Sequence, residues 1–248
     1  MTSVVTEPAP AAFDEPTGLA ARGTLIVLTG RGESAATYGR LGRRLSADAY
    51  RVRIVETGTS PVDETRSAVA ELLADDSLPA PKIVVGSDRG ANLALELAPE
   101  LDGVDAAILV GLLPRGGTSS GPGDRWEDEL ELRTACPTHR GILSADPAFT
   151  RGTIVGAGAD GSTSGPVPAD DVPTLVLHGA DDRVAPWRDV LPAFTDRPGT
   201  VVRLVTGGRH DVLNDVSHRS VAATIVLFLE SLKIGPDLAP IVTEPPRV

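Results

Sequence analysis

Asp88, Asp182 and His210 are the residues whose types and order could do chemistry together in this 248-residue chain. An aspartate is already ionised at neutral pH and can attack an electrophilic carbon without first losing a proton. A histidine can take a proton from water, and a second carboxylate can orient that histidine and balance its charge. Asp88 lies in Lys82-Ile83-Val84-Val85-Gly86-Ser87-Asp88-Arg89-Gly90-Ala91-Asn92-Leu93-Ala94-Leu95. That stretch reads as a β-branched strand, a tight corner bracketed by Gly86 and Gly90, and a helix. Small residues at the corner let strand and helix approach, and the helix N-terminus favours an anion. The bland reading of Asp88 is a helix N-cap with no chemistry.

The elements that must hold these residues alternate between strand and helix. Gly23–Leu28 is a continuous apolar run, the mark of a strand buried on both faces. It runs into Thr29-Gly30-Arg31-Gly32-Glu33-Ser34. A helix over Ala35–Ser46, a strand over Arg51–Glu56 and a helix over Asp63–Ala74 follow. After the Asp88 strand and its helix to Ala98, the pattern predicts strands at Asp105–Val110, Pro173–His178 and Thr200–Val205. It places helices at Trp187–Phe194 and Val216–Leu232. This order implies a mostly parallel sheet with helices on both faces. An edge strand is expected near Ser3–Thr6, and the tail from Gly235 reads as loose. Residues 112–171 break the rhythm with Gly/Ser/Pro-rich flanks and two short helices, Asp124–Thr134 and Thr138–Leu143. A long insertion of this kind is expected to be functional. The division is therefore a core of 1–111 and 172–248 with a cap or lid at 112–171.

Composition narrows the partners. The net charge is −11, which argues against nucleic acid or an anionic membrane surface. Cys136 is the single cysteine, so no internal disulfide can form. The first residues carry no basic segment and apolar core of a signal peptide, and no apolar run is of membrane-spanning length, so a cytoplasmic location is expected. No His/Cys/carboxylate cluster has metal-site spacing, and no cofactor is expected. The expected partner is a small-molecule substrate, and oligomeric state is left open. Cys136 reads as a small core residue, His178 as a structural histidine at a strand end, and His218 as solvent-facing or capping its helix. His139 reads as a solvated loop residue or, with Trp126, as a contact for a leaving group.

Two further segments carry a resemblance. Thr174-Leu175-Val176-Leu177-His178-Gly179-Ala180-Asp181-Asp182-Arg183-Val184-Ala185-Pro186 is a strand ending in an acid loop. Gly207-Gly208-Arg209-His210-Asp211 lies between the last strand and the last helix. With Gly-x-Asp-x-Gly at Gly86–Gly90, residues 22–233 resemble the α/β-hydrolase superfamily. The resemblance implies an α/β-hydrolase fold, with Asp88 as nucleophile, Asp182 as acid and His210 as base. It also implies oxyanion-hole N–H donors from Arg89 and from the Gly30–Arg31 loop, Arg31 being the donor. Asp at the elbow resembles haloacetate and haloalkane dehalogenases and epoxide hydrolases, which pass through an alkyl ester. Those haloacetate enzymes have a second arginine where this chain has Asn92. The cap tyrosines of epoxide hydrolases have no counterpart, because Tyr38 and Tyr50 lie outside the insertion.

Other readings stay open. The scaffold could use Asp88 and His210 for non-hydrolytic acid/base work, such as cyclisation, elimination or rearrangement in natural-product biosynthesis. Separately, Gly30-x-Gly32-x-x-Ala35 after a strand, with Glu56 ending the next strand, satisfies a nicotinamide-dinucleotide pattern.

Overall fold

The computed structural model describes residues 11–57, 61–114, 118–119, 125–154, 156–157, 171–235 and 237–243. A seven-stranded sheet runs in the order β1 (Ala12–Phe13), β3 (Arg51–Val55), β2 (Thr24–Leu28), β4 (Lys82–Ser87), β5 (Ala106–Val110), β8 (Thr174–Gly179) and β9 (Thr200–Val205). The six longer strands pair in parallel and only β1 is antiparallel. The expected edge strand at Ser3–Thr6 lies outside the described residues; Ala12–Phe13 forms the edge. β2, β4 and β5 are buried at every position, which is why their sequences read as unbroken apolar runs.

Alternate strand residues feed two cores. Leu25, Val27, Ile83, Val85, Ile108 and Val110 face α1 (Gly39–Ala47) and α7 (His218–Leu232), which contribute Leu41, Leu45, Ile225 and Phe228. Ile26, Leu28, Val84 and Leu109 face the other side, where α2 (Val62–Ala74) and α3 (Arg89–Leu97) contribute Val69, Leu73, Leu93 and Leu97. The tail is less loose than its sequence suggests, because Leu238 is buried in the first core. Helix boundaries shift where proline or a tight turn intervenes. Residues Ala35–Tyr38 form a 3-10 turn before α1, and the segment expected as one helix at Trp187–Phe194 is α6 (Trp187–Val190) followed by a 3-10 turn containing Pro192. Among the described residues no helix is long and apolar enough to cross a membrane.

The described part of the insertion holds α4 (Trp126–Arg133) and α5 (Pro137–Ala145), together with two short strands, β6 (Thr118–Ser119) and β7 (Gly156–Ala157). Pro137 occupies the first turn of α5, where its missing N–H is no loss. Leu130, Leu143 and Phe149 form a small core there, with Trp126 packed against it. The insertion is tied to the sheet's loops: Asp211 N–H donates to Arg133 C=O at 2.9 Å and Thr150 N–H to Gly32 C=O at 2.8 Å.

Candidate active site

Asp88 sits on the turn between β4 and α3 with φ 52° and ψ −120°, a strained backbone for a residue with a Cβ. The turn is possible because the residues two positions to either side, Gly86 and Gly90, are glycines. A Cβ on Gly86 would lie 2.1 Å from Gly90 C=O, and one on Gly90 would lie 2.3 Å from Leu28 C=O. The Asp88 N–H is satisfied by Val110 C=O at 2.9 Å. Its side chain makes no capping hydrogen bond to α3, so the N-cap reading does not describe it. The carboxylate turns instead towards Arg31 and His210.

His210 bridges the two aspartates. Its Nδ1 lies 2.8 Å from Asp182 Oδ2, and its Nε2 lies 3.0 Å from Asp88 Oδ1. Asp182 is held in turn: its Oδ1 accepts from Val184 N–H at 2.8 Å and Ala185 N–H at 2.9 Å. His178 Nε2 lies 3.1 Å from Asp182 Oδ2 and 2.6 Å from Ala185 C=O. His178 is thus a structural histidine, as read, but its task is to hold the acid loop. All three members of the line are buried.

The second anchor of Asp88 is Arg31. Its backbone N–H donates to Asp88 Oδ2 at 2.7 Å. Its Nε lies 3.0 Å and 2.9 Å from the two carboxylate oxygens, and its Nη2 lies 2.8 Å from Oδ1. One arginine therefore contributes a backbone dipole and a two-armed guanidinium to one carboxylate. Gly30 does not share that task. Its N–H points to Glu33 Oε2 and Tyr38 Oη, both at 3.0 Å, away from Asp88. Gly30 matters for space: a Cβ there would lie 2.7 Å from Glu33 Oε2 and 3.1 Å from Asp88 Cβ. Arg89 follows Asp88 as the first residue of α3, and its side chain leaves the site to donate to Thr57 C=O.

Protonation follows from these contacts. Burial alone would push the Asp88 pKa up, but the Arg31 charge and the His210 hydrogen bond outweigh it and hold it well below the usual carboxylate range. Asp182 behaves likewise, with burial overcome by His210 and His178. Burial would lower the His210 pKa, yet Asp182 and then Asp88 raise it to about 10. The line is an imidazolium between two carboxylates.

A second charged cluster lies behind the Gly30–Glu33 loop. Arg133, from α4, reaches Glu33 Oε1 at 3.1 Å, Glu129 Oε1 at 2.8 Å and Arg31 C=O at 2.9 Å. Burial and Asp211 raise the Glu33 pKa despite Arg133. Tyr38 donates to Glu33. The sequence reading singled out neither Glu33 nor Arg133; the available signals were a charged residue directly after the glycine loop and a Glu–Arg pair four apart on a helix.

Two expected contacts are corrected. His139 is not a solvated loop residue. It is fully buried on α5, and its Nε2 lies 2.8 Å from Asp211 Oδ2. The ring thus engages Asp211, the residue that follows His210. Trp126 packs tilted against Phe149, with ring centroids 5.4 Å apart, and donates from Nε1 to Ser144 Oγ at 3.0 Å. Asn92, standing where an arginine was expected from the resemblance, accepts from Leu113 N–H at 3.0 Å and donates to Leu113 C=O at 3.3 Å. It fastens the start of the insertion to α3. Cys136 is buried, as read. The dinucleotide pattern is otherwise occupied: Glu56 accepts from Ala35 N–H at 2.7 Å, and a Cβ on Gly32 would lie 2.2 Å from Thr150 C=O.

No protein-family model matches the chain, and no curated protein matches it. Solved structures do. A soluble variant of the monoglyceride lipase of Saccharomyces cerevisiae superposes with a TM-score of 0.70 at 17% identity, covering 88% of this chain and 90% of that one. The monoacylglycerol lipase of Paleococcus ferrophilus gives 0.69 at 17% identity, over 89% and 97%. The meta-cleavage product hydrolase of Pseudomonas fluorescens gives 0.63 at 15% identity, over 90% and 94%. Strand order, parallel pairing and these likenesses agree: this chain has the α/β-hydrolase fold.

Proposed function

We propose that the protein is an enzyme that hydrolyses a small organic molecule at an electrophilic saturated carbon, with Asp88 as nucleophile, His210 as base and Asp182 as its partner. One observation carries this reading. Asp88 Oδ2 is held by the Arg31 N–H at 2.7 Å while Oδ1 faces His210 Nε2 at 3.0 Å. The Arg31 guanidinium reaches both oxygens, so the backbone N–H on Oδ2 and the His210 ring on Oδ1 are what distinguish them. Oδ1 is the attacking atom, and Oδ2 is the atom on which negative charge develops when water later adds to the ester.

The steps balance. Asp88 Oδ1 bonds to carbon as the carbon–leaving-group bond breaks, leaving a neutral alkyl ester. Esterification removes the Asp88 charge and hydrogen bond that help to raise the His210 pKa, so the imidazolium passes its proton to solvent and becomes a base. Neutral His210 takes a proton from water as the oxygen adds to the ester carbonyl. The Arg31 N–H, with the Arg89 N–H as second donor, stabilises the oxyanion on Oδ2. Collapse expels the alcohol, which receives the His210 proton, and the carboxylic acid left on Asp88 returns its remaining proton to His210, restoring the carboxylate–imidazolium pair. The lipases named above act on acylglycerols, but a carboxylate attacking an acyl carbon would give an anhydride, so that chemistry does not transfer. The insertion, residues 112–171, is proposed as the cap of this site, with α4 as a wall fixed by Arg133.

In the acid/base alternative the ionised Asp88 would act as proton acceptor and the His210 imidazolium as donor, with no bond formed to Asp88. The test is a His210→Gln variant incubated with alkyl halides and epoxides. Mass spectrometry of the Asp88 peptide is expected to find a trapped alkyl ester. Substrate consumption without any adduct on Asp88 would remove it as nucleophile.

A further inference from the structure

Arg31 is buried to 6% exposure, and the polar contacts of its guanidinium are with Asp88, from Nε to both oxygens and from Nη2 to Oδ1. If Asp88 is the nucleophile, on which reading this inference rests, attack turns that carboxylate into a neutral ester. His210, the other cation on Asp88, can shed its proton. A guanidinium cannot. A buried charge left without a partner is strongly unfavourable. Glu33 and Glu129 attract Arg31 but are already engaged: Arg133 binds both, Gly30 N–H and Tyr38 bind Glu33, and Gly152 N–H binds Glu129. A departing anion from the substrate would supply the replacement.

The geometry points to Arg31 as the receptor of the leaving group, and to a leaving group that departs as an oxyanion presenting two oxygens, as a sulfate or sulfonate does. The Nε–Nη2 edge already grips two oxygens of one carboxylate, and that fork fits a second two-oxygen acceptor. A halide would fill one arm only. The alkoxide of an opened epoxide needs a proton, which a guanidinium does not give up. In the step itself, the bond from Asp88 Oδ1 to carbon forms, the carbon–oxygen bond to the sulfur oxyanion breaks, and both electrons leave with that oxygen. The negative charge passes from Asp88 to the departing group, and Arg31 follows it. No proton moves and nothing is oxidised or reduced. The two leaving-group contacts expected from the sequence, Trp126 and His139, have protein partners in Ser144 and Asp211. Arg31 fills that role.

The experiment uses the full chain carrying His210→Gln, so that the ester accumulates, and measures alkylation of Asp88 by butyl methanesulfonate, butyl chloride, butylene oxide and chloropropionate. Each rate is divided by that of the same reagent with free acetate ion. The normalised rate with the sulfonate should exceed those with chloride and epoxide by about tenfold or more. Adding Arg31→Gln removes the Asp88 anchor for every reagent and should lower every rate, but the sulfonate rate should fall about tenfold further than the chloride and epoxide rates. Equal normalised rates, or an equal loss for every reagent, would overturn the assignment. A preference for chloropropionate that disappears with Arg31→Gln would also overturn it, by placing Arg31 on a carboxylate the substrate keeps. Should Arg31→Gln fail to fold, the ranking in the His210→Gln protein decides. An Asp88 adduct without the sulfonate preference refutes the Arg31 role alone; no Asp88 adduct with any reagent refutes the nucleophile as well.

Discussion

Arg133 and Asp88 are the centres of two buried charge clusters on either side of the same loop, and the clusters are mirror images in sign. Arg133 is one cation shared by two acids, Glu33 and Glu129. Asp88 is one acid shared by two cations, Arg31 and the His210 imidazolium. Around Arg133 every partner is itself tied down, by Tyr38, by the Gly30 and Gly152 amides, and by the Phe149 ring 4.9 Å from the guanidinium. Around Asp88 the backbone is strained and the histidine can change charge. The first arrangement is a bolt between the insertion and the loop. In the proposed mechanism the second holds an anion whose neutralisation would set two cations free, one to become a base and one to receive an anion.

Substitution at Asp88 should have the largest effect on turnover. Asp88→Asn keeps the shape but removes the ionised nucleophile, so turnover of any electrophile that alkylates the native protein should fall by about four orders of magnitude. Retention of more than a few per cent in the first turnover would equate the two clusters as structural. The largest effect on stability should fall on the other side. Arg133→Met leaves two buried carboxylates facing each other and should cost about 3–5 kcal/mol in urea unfolding. Arg31→Met leaves Asp88 with His210 and should cost distinctly less. Equal losses would erase the distinction between bolt and site.

The pH dependence of stability separates the clusters further. The His210 pKa is raised on folding to about 10, so its contribution is fully present below the ordinary histidine value and is lost as pH rises from there to about 10. Asp88 and Asp182 are lowered, so theirs is present above the ordinary carboxylate range and lost as pH falls through and below it. Stability should therefore decline on the alkaline side over that window in the native protein and in Arg133→Met. The decline should shrink in Asp88→Asn, where one raising partner is gone; urea midpoints across pH check this. The smallest effect is expected at Asn92. Asn92→Ala removes two hydrogen bonds to Leu113 and should cost about 1–2 kcal/mol. A change in turnover far beyond that would mean the tie is part of the site.

What could be read from the sequence follows which interactions are local. Strand β4, the Gly86 and Gly90 corner and the buried runs at β2 and β8 carry their structure in residue type and period, so the sheet was legible. The order of Asp88, Asp182 and His210 was legible because the fold brings strand ends to one edge. The Arg31 side chain was not, since only its backbone N–H belongs to the pattern and its guanidinium is set by a neighbour 57 residues away. Arg133 and Glu33 meet across 100 residues, with no periodicity to announce it. His139 misled because a short helix in a Gly-rich insertion reads as exposed, whereas α5 packs on the 3-10 turn at Ala35–Tyr38 and buries it. Leu238 misled for the same reason: a Pro-rich tail hides one apolar residue that reaches the core.

The claim that Asp88 attacks carbon is tested most directly by a single turnover in ¹⁸O-water with the native protein and an electrophile that alkylates it. Water adding to the Asp88 ester must leave its oxygen on the aspartate, while the product alcohol carries away an original Asp88 oxygen. Mass spectrometry of the Asp88 peptide should show one labelled oxygen after that turnover and an unlabelled product. Label found in the product at the first turnover, with Asp88 unlabelled, would mean that His210 drives water onto the substrate itself, and the proposed mechanism would be wrong.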